Sequence, residues 1–222
     1  RSFEKALALA PDYFSAARNL AQLDLAQNKP ADARRRYEAI LTKDNKSVRA
    51  MVALAQLASL EGKSADYLSW LNKAVKADPK AIQPRVLLAR HYIEQKQGEK
   101  ALALAREAVD ANPDSPAALG LLGKTQLSVG QKENALSSFT RLVQDSPASA
   151  EAHYHLGLAQ RDLNRTDMAR ASLKRALEKQ PDYLPAQEAL IELESKSGRT
   201  EEALRLARAL QAQQPKSPVG PS

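Results

Sequence analysis

Small and apolar residues recur along this chain every 34 positions, with polar residues filling the intervals. Six segments align on that period, beginning at Phe14, Val48, Ile82, Pro116, Ala150 and Leu184. The seventh residue of each is Leu: Leu20, Leu54, Leu88, Leu122, Leu156 and Leu190. The eighth is small at Ala21, Ala55, Ala89, Gly123 and Gly157, with Ile191 the exception. The twentieth is Ala33, Ala101, Ala135, Ala169 and Ala203, and Tyr67 breaks the rule. The twenty-fourth is large at Tyr37, Leu71, Phe139 and Leu173, preceded by Phe3 in an opening half-unit. The twenty-seventh is Ala74, Ala108 and Ala176, or the larger Ile40, Leu142 and Leu210. A fixed period of this length means one supersecondary unit copied along the chain.

Within each unit, positions 7, 8, 10 and 11 make one apolar stripe and positions 20, 24, 27 and 28 another. Their i, i+3, i+4, i+7 spacing predicts two amphipathic helices. The small eighth and twentieth residues let those helices approach closely. A polar break separates them at Asn28-Lys29, Gly62-Lys63, Gln97-Gly98, Gly130-Gln131, Asn164-Arg165 and Gly198-Arg199. Gly and Asn suit the left-handed turn that ends a helix. Pro11, Pro79, Pro113, Pro147, Pro181 and Pro215 stand on the same period and end the second helices, because proline cannot continue the hydrogen-bond chain. Pro84, Pro116 and Pro185 fall in first turns, where proline costs little. Asn45 fills the one gap in the proline series, so the second helix before it is expected to lengthen or tilt. Tyr67, in a slot where Ala is usual, is expected to splay or rotate its hairpin, with Trp70 repacking beside it.

Composition agrees with helices: Ala, Leu, Glu, Lys, Arg and Gln dominate, and Val and Ile are sparse. The 222 residues carry a net charge of +7, and no Cys is present, which removes disulfides and thiolate metal sites. The charge is uneven, since 19 of the 33 Lys and Arg but only 13 of the 26 Asp and Glu fall at or before Asp110. That excess is too small and too mixed with acids to indicate a nucleic-acid binder. No apolar run approaches the roughly 20 residues that cross a bilayer.

The repeated pattern resembles the tetratricopeptide repeat across essentially the whole chain. The resemblance implies an all-α, right-handed solenoid of helix-turn-helix repeats with about thirteen helices. A partial repeat would span 1–13, with a helix near residues 2–10. Full repeats follow at 14–47, 48–81, 82–115, 116–149, 150–183 and 184–217, and 218–222 would begin another repeat or a linker. The family's bulky aromatic at position 4 is missing, since Ala17, Met51, Arg85, Leu119, His153 and Gln187 occupy it. Neither end carries a polar capping helix, so neighbouring repeats on both sides are expected.

In this family positions 2, 5, 9 and 12 of the first helices line a concave face. Carried over, they give Arg18 and Gln22, then Arg49, Val52 and Gln56, then Gln83, Val86 and Arg90. Lys124 and Leu127 follow, then Glu151, Tyr154, Leu158 and Arg161, then Glu188, Glu192 and Ser195. Such a groove runs from basic through mixed to acidic. Its expected partner is an acidic or extended protein segment, with Arg18, Gln22, Arg49, Val52, Gln56, Gln83, Arg90, Lys124, Tyr154 and Arg161 as contacts and Tyr154 as an anchor. Polysaccharide is a second ligand class, and self-association through uncapped ends a third outcome. The family's chaperone-tail clamp is disfavoured, because Ser15/Asn19, Ala53 and Gln83/Leu87 stand at its positions.

Catalysis finds no foothold. There is no phosphate-binding glycine loop and no nucleophile motif, and neither a cofactor nor a metal is expected. His153 and His155, two apart on a helix, project about 200° from each other and cannot share a metal. His153 is read as a packing residue, His155 as a surface or interface residue, and His91 as a hydrogen-bonded packing residue. The runs Leu206–Pro218, Ser69–Ala74 and Leu23–Ala31 resemble bacterial exported tetratricopeptide lipoproteins that accompany exopolysaccharide production and PEP-CTERM protein sorting. That resemblance implies a non-enzymatic scaffold in a periplasmic or outer-membrane-anchored parent. The alternatives are a spacer or assembly module and a cytoplasmic adaptor.

Overall fold

Six Leu-centred stripes become six helical hairpins in the computed structural model, which describes residues 14–213. The helices are α1 (Phe14–Ala26), α2 (Pro30–Lys43), α3 (Val48–Leu60), α4 (Ser64–Ala77), α5 (Ile82–Glu94) and α6 (Gly98–Ala111). They continue with α7 (Pro116–Ser128), α8 (Lys132–Asp145), α9 (Ala150–Asp162), α10 (Thr166–Lys179), α11 (Leu184–Lys196) and α12 (Thr200–Gln213). Among the described residues there is no strand, and every first helix begins on the residue that the period marks. The helix expected near residues 2–10, and the tail from 214 onward, lie outside the described residues. The chain divides into two compact units at Asp114/Ser115, each holding three hairpins.

The small eighth position does what its size implies. A Cβ on Gly123 would lie 2.6 Å from Cε1 of the buried Phe139, and one on Gly157 would lie 2.9 Å from Cγ of Leu173. In the first unit Ala21, Ala55 and Ala89 take this place and are buried. Close-packed interiors leave no slack for an extra methyl group at these two glycines, where the opposing ring or branch already fills the space.

All six hairpins turn by one device. The sixteenth backbone N–H donates back to the eleventh carbonyl, as in Lys29 to Asp24 at 2.8 Å and Arg165 to Gln160 at 2.8 Å. This closure needs a left-handed residue at position 15, and Asn28, Gly62, Lys96, Gly130, Asn164 and Gly198 all have φ between 58° and 81°. In the third repeat the sequence placed the break at Gln97-Gly98. The structure moves it to Lys96 and uses Gly98 as the first residue of α6.

Two other expectations are corrected. The helix before Asn45 neither lengthens nor ends differently. α2 and α4 are both 14 residues long, and Asp44 and Asp78 close their turns alike. Asp44 Oδ1 accepts from Lys46 N at 3.0 Å and Asp78 Oδ1 accepts from Lys80 N at 2.8 Å. The Asp side chain holds the turn, so the proline beside it is dispensable. Nor does Tyr67 splay its hairpin. Its ring is buried in the core with Ala55, Ala58 and Leu71 of its own hairpin and reaches on to the next, where the hydroxyl donates to the Leu87 carbonyl at 3.4 Å and the ring lies 5.7 Å from His91. Trp70 packs against the cores of the first and second repeats, with Lys73 Nζ 4.2 Å above its ring.

In the fifth and sixth repeats the missing position-4 aromatic is replaced by a polar side chain that ties down the preceding turn. Nε2 of His153 bonds to the Pro147 carbonyl at 3.1 Å, and Gln187 Nε2 donates to the Pro181 carbonyl at 2.8 Å. Inside the second unit's hairpins, Ser138 donates to Gln126 and Ser172 donates to Gln160, each at 2.7 Å and buried. Asp24 and Arg36 make the equivalent link in the first repeat as an ion pair.

Candidate interaction groove

In the first unit, the polar faces of α1 and α3 and the start of α5 enclose a groove of about 470 Å³. Arg18 and Gln22 enter from α1, Arg49, Val52 and Gln56 from α3, and Gln83 from α5. Six of the ten expected contacts therefore meet in one place. Val52 is almost wholly buried and serves as floor rather than as a free contact. The rest of the floor is apolar: Phe14 and Tyr37 stack at 6.0 Å, with Leu25, Ala53 and Leu57 around them. Leu60 stands on the rim, 76% exposed. The sequence reading missed these apolar linings because they belong to the core-facing stripe and show at its edge.

The groove's charge is unbalanced. Among the described residues neither Arg18 nor Arg49 makes an ion pair. Burial raises the Tyr37 hydroxyl above its ordinary pKa, and the nearby Arg18 charge opposes that rise. The same repeat also holds Arg34, Arg35 and Arg36, but those are bound to Glu61, Asp32 and Asp24.

Arg90 lies outside this groove. It borders a separate pocket of about 120 Å³ with Ser59, Ser64, Tyr67, His91 and Glu94. His91 packs through its ring against Tyr67 and Tyr92, where a hydrogen-bonded residue was expected.

In the second unit the expected contacts are already engaged. Lys124 Nζ lies 2.9 Å from Glu151 Oε1, and that bond holds the Glu151 carboxyl below its usual pKa. Arg161 pairs with Asp162 at 3.0 Å and Glu192 at 3.4 Å, while Lys196 holds Glu192 at 2.5 Å. Tyr154 is half-buried against the core of the last two hairpins and meets Tyr183 edge-on at 5.6 Å. His155 corrects its surface reading. Its ring stacks on Phe139 at 5.2 Å, and burial pushes its pKa down to about 4, aided by Lys124, although Glu151 opposes the shift from 3.4 Å. It is therefore neutral at pH 7. Helical position alone gives no hint of Phe139 on the neighbouring helix. No group of three or more His, Asp or Glu among the described residues could hold a metal ion, and none of their helices is long and apolar enough to cross a membrane.

Comparison with known proteins bears on the fold. YrrB, a TPR protein with an unusual peptide-binding site, aligns with TM-score 0.54 and 22% identity, covering 85% of this chain and 97% of its own. TTC0263, a thermophilic TPR protein of Thermus thermophilus, aligns with TM-score 0.62 and 19% identity over 81% of this chain and 97% of its own. A chain of the APC/C hetero-tetramer Cut9–Hcn1 gives a TM-score of 0.66 and 17% identity over 96% of this chain and 43% of that one. No curated protein matches the sequence. One tetratricopeptide repeat model matches residues 18–82 and 121–183, and a second matches 68–125 and 160–219. With helices and turns falling on the same period, the chain belongs to the tetratricopeptide repeat family.

Proposed function

We propose that the chain is a non-catalytic binding scaffold whose first-unit groove receives an extended, acidic protein segment. The observation that carries this reading is the pair Arg18 and Arg49, which face a common groove with an apolar floor and have no carboxylate partner among the described residues. Gln22, Gln56 and Gln83 supply hydrogen-bonding groups that can meet an extended backbone. Apolar floor, charged walls and amide edges fit a segment that alternates acidic and aliphatic side chains. The peptide-binding site of YrrB lies on a similar fold and supports the reading by analogy. Placement in an exported exopolysaccharide or protein-sorting system rests on the three sequence runs alone.

The test is fluorescence anisotropy of an extended Glu/Leu-alternating peptide at low salt. Arg18→Glu with Arg49→Glu is expected to weaken binding by at least tenfold, since like charges across an interface cost several kcal/mol. Lys124→Glu with Arg161→Glu should leave it nearly unchanged. Equal losses from both double variants would mean that net charge, not this groove, attracts the peptide.

A further inference from the structure

We infer that the pocket bordered by Ser59, Ser64, Tyr67, Arg90, His91 and Glu94 is a binding site for a phosphoryl group. It is a cavity of about 120 Å³ where the end of α3, the start of α4 and the last turns of α5 meet. Five of its six side chains can donate a hydrogen bond: three hydroxyls, a guanidinium and an imidazole. A single carboxylate, Glu94, faces them.

The donors are weakly committed. Tyr67 reaches the Leu87 carbonyl at only 3.4 Å. Arg90 Nε lies 3.9 Å from Glu94 Oε1, beyond hydrogen-bond length, with both side chains more than half exposed. Burial raises the Tyr67 hydroxyl above its ordinary pKa, and Arg90 opposes that rise by its charge and by hydrogen bonding. One largely exposed cation therefore borders both a distant carboxylate and a cluster of hydroxyls.

That arrangement selects the ligand. A carboxylate entering the pocket would replace Glu94 with its own kind and gain little. A phosphate monoester carries about −1.5 to −2 charge at pH 7 and three acceptor oxygens, so it draws Arg90 more strongly and can use the hydroxyls as well. Glu94, exposed and held only at 3.9 Å, can turn to water as the anion enters. Two sources can present this group, a free small phosphate or a phosphorylated hydroxyl side chain on a bound segment. The inference stands apart from the acidic-segment reading, because Arg18 and Arg49 do not line this pocket.

The experiment titrates the full chain with inorganic phosphate at pH 7 and constant ionic strength, following the His91 ring by NMR. Acetate serves as the control. Saturable, His91-localised shifts with phosphate are expected, and a several-fold weaker response to acetate. Arg90→Met should reduce phosphate affinity about tenfold or more, in keeping with a lost bidentate contact. Glu94→Gln should raise it about three- to tenfold by removing the competing carboxylate. A blocked phosphoserine that binds as well as phosphate identifies a modified segment as the source, and its rejection identifies a small free phosphate. Arg18→Glu with Arg49→Glu should leave all of this intact. An acetate response equal to that of phosphate, or a Glu94→Gln affinity unchanged or lower, would overturn the assignment.

Discussion

Among the described residues each unit buries one arginine, and the two are treated in opposite ways. Arg170, in the second unit, has its Nε 2.6 Å from Glu194 Oε1, pairs also with Asp167, and lies 3.4 Å from Ser197 Oγ. These bonds, that with Glu194 foremost, hold its pKa above the ordinary value. Arg85, in the first unit, is 4% exposed and donates through one amino group to the Ala81 carbonyl at 3.0 Å, while its Nε meets no acceptor. The contrast extends beyond these residues. In the second unit Ser115 and Ser149 cap α7 and α9, and Lys124, Arg161 and Arg165 are held by carboxylates. In the first unit Ser47 and Ala81 give no side-chain cap, and Arg18 and Arg49 make no ion pair among the described residues. Both units link their helices by ion pairs, as Arg34 does to Glu61 and Lys124 to Glu151, and the first differs in leaving two arginines outside such pairs.

The sharpest way to break that comparison is to remove both buried guanidinium groups. Arg170→Met leaves Glu194, 1% exposed, without its main counter-charge, and should destabilise the second unit by about 3–5 kcal/mol. Arg85→Met removes a guanidinium with no carboxylate partner from a slot that Met51 fills in the second repeat and Leu119 in the fourth. It should be neutral or stabilise the first unit by about 1–2 kcal/mol, because the desolvation cost of an unsatisfied donor disappears. Repeat arrays need not unfold in one step, so hydrogen exchange resolved by hairpin is the measurement. Similar losses from both variants would mean that Arg85 is as well supported as Arg170.

A smaller effect distinguishes the units by pH. His155 has a folded pKa of about 4, below its ordinary value of 6.5, so between those values the unfolded chain binds more protons. Stability of the second unit is therefore full above pH 6.5 and falls as the pH drops toward 4, by about 2–3 kcal/mol. Glu151 adds its own loss lower down, because a depressed carboxylate is lost only as pH falls through its folded value. The first unit has Asn19, Ala53 and Leu87 at the corresponding position and should show no such slope. His155→Phe keeps a ring against Phe139 and should flatten the second unit's profile between pH 6.5 and 4. A slope that survives in hydrogen exchange assigns the titration to another group.

The contrast also separates what the sequence could say from what it could not. The starts of the first helices were legible to the residue, because a hydrophobic period repeated six times leaves one register. The meeting of Arg18 and Arg49 in the first unit was an expectation of the family resemblance, and both line one groove there. The partners of Lys124 and Arg161 were not legible. Lys124 meets Glu151 and Arg161 meets Glu192 across successive hairpins, 27 and 31 residues away, and no local pattern selects those pairs over equally spaced alternatives. Asn45 misled because proline is conspicuous and Asp44, which closes the turn, is not. His155 misled because Phe139 reaches it from another helix.

Lys96 gives the smallest effect and the cleanest sign. It holds φ 58° at the turn where Gly62 and Gly130 sit on either side in sequence, and the turn's bonds form normally, with Gln97 N donating to the Tyr92 carbonyl at 2.7 Å. A left-handed backbone costs a residue with a Cβ about 1–2 kcal/mol, and glycine nothing. Lys96 is exposed and makes no ion pair, so truncation removes no contact. Against the gain stands glycine's greater freedom in the unfolded chain, about 0.5–1 kcal/mol. Lys96→Gly should therefore stabilise the third hairpin by about 0.5–1 kcal/mol net. The reverse changes, Gly62→Lys and Gly130→Lys, place a Cβ in open space and should each cost a similar amount through backbone strain alone. Equal size and opposite sign, read by hydrogen exchange in each hairpin, would show that this turn behaves alike in both units even where their charges do not. A destabilising Lys96→Gly would instead mean that the lysine side chain supports the first unit through an interaction that the second does without.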